Sequence, residues 1–255
     1  MTDIKLYGYA TSPFVRKVGC FLYYKGLEFQ HVPVDPTNPS ETIGHTNGTQ
    51  VPVLEIDGEY RRESSELAFW LDERFPEKPL CPEPHKDTVL AIDRWISDTF
   101  LPSIFRGAVE ADLTLQFRYR GWRLAALVSA HTPLPEHIRH AWPDALKQAP
   151  FIQAMTQQMD LTESLRDMQV RIFLEMVEHL GGGPYIGGLE QPTMLDLAIF
   201  PQLVFGYMFG LEEHLSAASH PSVKAWMQRM ATHLPDNPTL VADMMQVNSL
   251  ADGLA

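Results

Sequence analysis

The 255-residue chain has only two cysteines, Cys20 and Cys81, far apart and in no metal-ligand or redox spacing. This argues against a disulfide framework and fits a reducing compartment. No apolar run approaches the ~18 residues that a membrane-spanning helix needs. The opening Met1-Thr2-Asp3-Ile4 has no basic stretch leading into an apolar one, so no signal peptide is expected. A cytoplasmic protein without a membrane partner is the expectation. Basic charge is also scarce: 20 Lys and Arg stand against 32 Asp and Glu, a net charge of −12. Nucleic acid needs a basic face, so it is not expected as a partner. No internal repeat or low-complexity tract appears.

Core-forming residues are plentiful, with 45% hydrophobic and 10% aromatic. That length fits one large domain or two modest ones. Ile4 to Gly8 reads as a strand. Phe14 to Lys25 places Phe14, Val18, Phe21 and Leu22 on one helical face, with Gly26 as C-cap. Between them, Ser12 is a good N-cap and Pro13 suits the first helical position. Free N–H groups and the positive end of the helix dipole converge there, a place that stabilises an anion. Ser12 is therefore either a plain cap or the contact of a substrate's reactive anion.

Glu28 to Val34 alternates as a second strand, parallel to the first through a right-handed crossover. Asp35 to Thr49 reads as a loop with a short helix near Ser40 to His45. Gln50 to Ile56 is a third strand, with Pro52 at its start. Asp57-Gly58 signals a hairpin turn into a fourth strand at Glu59 to Arg62. Glu63-Ser64-Ser65-Glu66 then precedes apolar Leu67, Phe69, Trp70 and Leu71, where a serine is expected to cap a helix ending before Pro76. Four prolines fall between Pro76 and Pro84, which marks a linker. The expected division is residues 1–76, a linker over 77–86, and a second domain over 87–255.

The second half reads as all-helical. Helices are expected around Leu90 to Phe100, from about Val109 to Ser129, over Phe151 to Leu180 as one long element, and over Thr193 to Met208 and Ser222 to Leu234. Ala130 to Pro150 looks like a breaker-rich interval. Thr193 and Asp196 form a capping box with Asp in place of Glu, a structural rather than chemical role. His131, His137 and His140 lack a suitably placed third metal ligand and read as a surface stretch, so no metal is expected. Phe105, Phe117, Tyr119, Trp122, Phe205, Tyr207, Met208 and Phe209 read as core more than as pocket lining.

This order of elements resembles the cytosolic glutathione transferase family over nearly the whole chain. The resemblance is carried by Ser12-Pro13-Phe14, Gln50-Val51-Pro52, Glu63-Ser64 and Thr193 to Asp196, in order and at these spacings. It implies α/β plus all-α architecture: a thioredoxin-like glutathione-binding domain followed by an all-helical domain. It implies glutathione as cosubstrate, a small hydrophobic electrophile and a homodimer. Ser12 matches the catalytic position, with Tyr9 as its rival. Phe14, Gln50, Val51, Pro52, Glu63 and Ser64 match glutathione-binding positions, with Val51 preceding the family's cis-proline. The implied activity is a glutathione transferase that activates the thiolate for attack. Val15 occupies the place of a second redox cysteine, against disulfide exchange. A non-catalytic binding module on the same fold, and a glutathione-dependent isomerase or dehalogenase, are the alternative functions.

Overall fold

The computed structural model describes residues 2–110, 115–157 and 159–255. Its first part is a four-stranded sheet in the order β2-β1-β3-β4. β1 (Ile4–Gly8) pairs in parallel with β2 (Gln30–Pro33), joined by α1 (Pro13–Lys25). β3 (Val53–Ile56) runs antiparallel to β1, and β4 (Glu59–Arg61) antiparallel to β3. Both central residues of the hairpin turn, Asp57 and Gly58, have positive φ, as a primed turn between twisted strands requires. The strands expected from Glu28 and Gln50 begin later, at Gln30 and Val53. Val51 and Pro52, joined by a cis bond, therefore stand outside the ladder.

The strand alternation sorts the two faces. Ile4, Leu6, Leu54 and Ile56 join the main core with α1 and α3 (Ser64–Arg74). Tyr7 and Val53 face the other way, with Val34 and Ile43 of α2 (Pro39–Ile43). α1 is covered on nearly every side. Ser12 caps its start, and Gly26, at φ 71, closes its end through bonds from its N–H to Leu22 and Tyr23.

The helical part begins with α4 (Lys86–Trp95), which runs through a π turn at Ile96–Phe100 into α5 (Leu101–Glu110). It continues with α6 (Leu115–Ser129), α7 (Glu136–Gln148), α8 (Pro150–Thr156) and α9 (Leu165–Leu180). α10 (Met194–Met208), α11 (Pro221–Ala231) and the short α12 (Leu250–Leu254) complete it. Among the described residues, no helix is long and apolar enough to cross a membrane. Of the helix expected over Val109 to Ser129, residues 111–114 lie outside the described residues.

Three expectations are corrected. The interval 130–150 carries helix α7 rather than a loop. Two of its prolines, Pro133 and Pro135, precede the helix, and Pro143 within it is seated against Gly121, where a Cβ would come within 2.7 Å of its ring. The long helix expected over 151–180 is two helices. Asp160 accepts bonds from the Thr162 N–H (2.8 Å) and hydroxyl (2.6 Å), turning the chain, and Ser164 then caps α9 by accepting from the Asp167 N–H. Finally, no serine caps α3. Glu63 holds the cap position, without a side-chain cap bond, and Ser64 is the first helical residue.

The Thr193–Asp196 capping box is present. The fully buried Asp196 also accepts from the Ile186 N–H (2.9 Å) and from Trp226 Nε1 (2.8 Å), tying a loop and α11 to α10. Burial outweighs these bonds and pushes its carboxyl up to about 6.

Candidate ligand cleft

A cleft of about 430 Å³ opens where α1, the segment before β3, and the start of α3 meet α8 and the π turn after α4. It gathers Phe14, Gln50, Val51, Pro52, Glu63 and Ser64, all six residues expected to hold a ligand. Its polar corner is the first turn of α3. The Glu63 side chain makes no cap bond to that turn's N–H groups, and Glu63 to Glu66 line the cleft at the positive end of the helix dipole. Glu63 itself holds φ 63, ψ 98. A non-glycine residue in that region is strained, and such strain concentrates at functional sites.

Arg62 forms the neighbouring wall. Its Nη2 donates to the carbonyl of Thr46 at 2.7 Å and to the Thr46 hydroxyl. A Cβ on Gly48 would collide with this guanidinium, so glycine permits the close approach. The other flank is apolar. Phe14, Phe105 of α5 and Phe151 of α8 form an aromatic triad. Phe14 stacks on Phe105 at 6.5 Å and meets Phe151 edge-on at 6.0 Å. Phe105 and Phe151 meet at 5.6 Å and 88°. Met155, one turn beyond Phe151, extends this flank.

The two hydroxyl residues expected to be catalytic do not line the cleft. Ser12 is 5% exposed, its Oγ accepting from the Val15 N–H at 3.5 Å and its N–H donating to the Tyr9 carbonyl at 2.9 Å. Tyr9 packs against the Tyr7, Val34, Ile43 and Val53 cluster, and burial raises its phenol above the ordinary value. The turn that carries them is clamped from α10. Gln202 Nε2 donates to the Pro13 carbonyl at 2.9 Å, while its Oε1 accepts from Arg16 Nε (3.1 Å) and Nη2 (2.6 Å). Arg16 Nη1 reaches the Ala10 carbonyl, and its guanidinium lies 3.8 Å from the Phe205 ring centre.

Arg62, Ser65, Glu66, Ser97, Phe151 and Met155 line the cleft without having been singled out from the sequence. Ser65 and Glu66 follow Glu63-Ser64 directly, a signal that was available. Ser97, Phe151 and Met155 come from remote elements whose approach only the packing sets. Cys20 and Cys81 are buried free thiols, and burial pushes Cys81 up to about 11. Cys20, with no exposure, packs as a small hydrophobe.

Residues 6–79 match the model of a family described as glutathione S-transferase, N-terminal domain. Glutathione S-transferase U4 of Arabidopsis thaliana is 25% identical over 114 residues, which cover 43% of this chain and 51% of that protein. The chain thus spans about half the length of such a curated relative. Among solved structures, a β-etherase from Sphingobium aligns with a TM-score of 0.59 and 22% identity, covering 89% of this chain and 94% of the other. A maleylacetoacetate isomerase from Anaeromyxobacter dehalogenans, solved with dicarboxyethyl glutathione and citrate in its active site, aligns with a TM-score of 0.50 and 20% identity, covering 94% of each. These structures share the small mixed sheet and helical second part. Residues 6–79 thus match a glutathione S-transferase N-terminal domain, and the chain shares the fold of these solved structures.

Proposed function

We propose that the chain binds glutathione in this cleft and activates its thiol for attack on an apolar electrophile. The observation that carries the reading is the convergence of Phe14, Gln50, Val51, Pro52, Glu63 and Ser64 on one cleft. Glu63 pairs with the ammonium of the γ-glutamyl end. The Ser64 hydroxyl and the first turn of α3 receive its carboxylate. The backbone at Val51, outside the ladder, pairs with the cysteinyl part as an added strand would. The sulfur then lies toward the start of α1, where the Ser12 hydroxyl donates to it. A free thiol has a pKa near ~8.5, and lowering it to ~6.5 takes about 2.7 kcal/mol, within reach of a hydroxyl and helix-terminal donors. Phe14, Phe151 and Met155 supply an apolar flank for the electrophile. The protein acts in the cytoplasm and as a homodimer.

The near-complete burial of Ser12 favours a second reading, glutathione binding without catalysis. Calorimetry with glutathione and ultraviolet thiolate absorbance, on wild type and Ser12→Ala, separate the two. The first reading expects binding, with a thiolate signal at neutral pH that falls about tenfold or more in Ser12→Ala. Binding with an unshifted thiol and no turnover on an electrophile panel establishes the second. No glutathione binding sinks both. A thiolate signal unchanged in Ser12→Ala moves the role to Tyr9.

A further inference from the structure

Beneath the first turn of α3 lies a cation with no exposure at all. Lys17 of α1 is 0% exposed, and its Nζ donates to Asp93 Oδ1 of α4 at 3.1 Å and to Ser65 Oγ at 2.9 Å. Ser65 lines the cleft, and so does Ser97, one helical turn beyond Asp93. The buried pair therefore sits just behind the polar corner. Burying an ammonium costs several kcal/mol, and an apolar side chain of equal volume would fill the junction of α1, α3 and α4 without that cost. Its one bond to a cleft residue is the bond to Ser65. A lysine ammonium only donates, so Ser65 Oγ is its acceptor. No acceptor among the described residues takes the Ser65 proton.

We propose that Lys17, anchored by Asp93, is a positioning residue that turns the Ser65 hydroxyl into a fixed donor for the carboxylate of the γ-glutamyl end. This deepens the glutathione reading and rests on it. Ser65 touches the ligand, and Lys17 acts through Ser65. With its oxygen engaged from behind by a cation, the hydroxyl is polarised and its proton is aimed into the cleft. It adds a second hydroxyl to that of Ser64 at the same helix start. Lys17 also places positive charge behind a corner whose rim holds Glu63 and Glu66, which favours an anionic group over a neutral one there.

The test is calorimetric titration with glutathione and with an analogue whose γ-glutamyl α-carboxylate is amidated. The proteins are wild type, Ser65→Ala, Ser65→Thr, Lys17→Met and the Ser65→Ala/Lys17→Met double variant. A hydrogen bond to a charged group predicts roughly tenfold weaker glutathione binding in Ser65→Ala. Lys17→Met is expected to lose a similar factor, and the double variant no more than either, since both remove one interaction. Ser65→Thr keeps the hydroxyl and stays within threefold of wild type. The amidated analogue loses this discrimination, which general structural damage would not produce. Folded Ser65→Ala or Lys17→Met that binds glutathione within twofold of wild type overturns the proposal, as does an equal loss on both ligands. If Lys17→Met does not fold, the Ser65→Ala and Ser65→Thr pair decides it on the same two ligands. A wild type that fails to bind glutathione overturns the glutathione reading and this proposal together, whereas binding by wild type with unaffected variants overturns this proposal alone.

Discussion

Glu63 shows how one residue carries opposed demands. Its positive φ costs of order 1–3 kcal/mol, yet it directs a carboxylate to the rim of the cleft. Replacing it with glycine removes the strain and the charge together. Glu63→Gly is expected to leave stability equal or raise it by about 1 kcal/mol, because the larger unfolded-state entropy of glycine offsets part of the relief. Glutathione affinity should fall by about tenfold. Urea denaturation and calorimetry on the same preparation check both halves, and a destabilised variant with intact affinity would refute the account. His31 poses a similar question at the sheet edge. Its Nε2 lies 3.0 Å from the Gly8 carbonyl, and the ring of His131 faces it at 5.4 Å. Burial, with His131 adding to it, pulls its pKa down to about 4. The unfolded value is near 6.5, so the folded state favours neutral imidazole. Stability from this group is complete above pH 6.5 and is lost as pH falls towards 4, by about 3 kcal/mol at most. The loss between pH 7 and pH 4.5 should shrink in His31→Gln, as urea midpoints at the two pH values will show.

At the scale of elements, the contact of α1 with α10 holds the site together. Gln202 satisfies Arg16 and the Pro13 carbonyl at once. Gln202→Ala leaves a buried guanidinium short of its acceptor and frees the turn that carries Ser12. A loss of about 2–4 kcal/mol in stability is expected, together with a drop in any Ser12-dependent thiolate signal that exceeds the drop in glutathione affinity. Equal drops would mean that the clamp serves folding alone. These same elements separate what the sequence reveals from what it hides. Ser12, Pro13, Gly26, Asp57-Gly58 and the Thr193–Asp196 box act within one turn of chain, so their chemistry is legible without a structure. The grouping of Phe14, Gln50 to Pro52, Glu63 and Ser64, which line one cleft, was legible through the resemblance and the order of these motifs. The rest depends on approach between distant segments. Pro143 looks like a helix breaker until Gly121 makes room for it, and Phe151 joins the cleft only because α8 packs against α5. The Lys17 bond to Ser65 spans 48 positions, and no local pattern announces it.

For the whole molecule, the outer face of α9 calls for an explanation. Met168, Ile172, Met176 and Leu180 bury one face of this helix. Val170 and Leu174, one turn apart, stand about half exposed on its surface. A helix with apolar side chains on opposite faces is usually covered on both. α9 is tied to α4 by the bond from Trp95 Nε1 to Glu175 Oε2 at 2.8 Å, and α4 exposes Leu90 as well. The expected cover is a second copy of the chain, meeting the first through these two helices. A net charge of −12 on each copy opposes this association, so the apolar contact has to outweigh repulsion that salt screens. Sedimentation equilibrium at micromolar concentration should therefore give a dimer that is tighter in 0.5 M salt than in ~0.01 M salt. Val170→Glu/Leu174→Glu adds like charges at the contact and should shift the population to monomer at both salt concentrations, with far-ultraviolet circular dichroism unchanged. A monomeric wild type under all these conditions, or a double variant that remains dimeric, would place the contact elsewhere or abolish it.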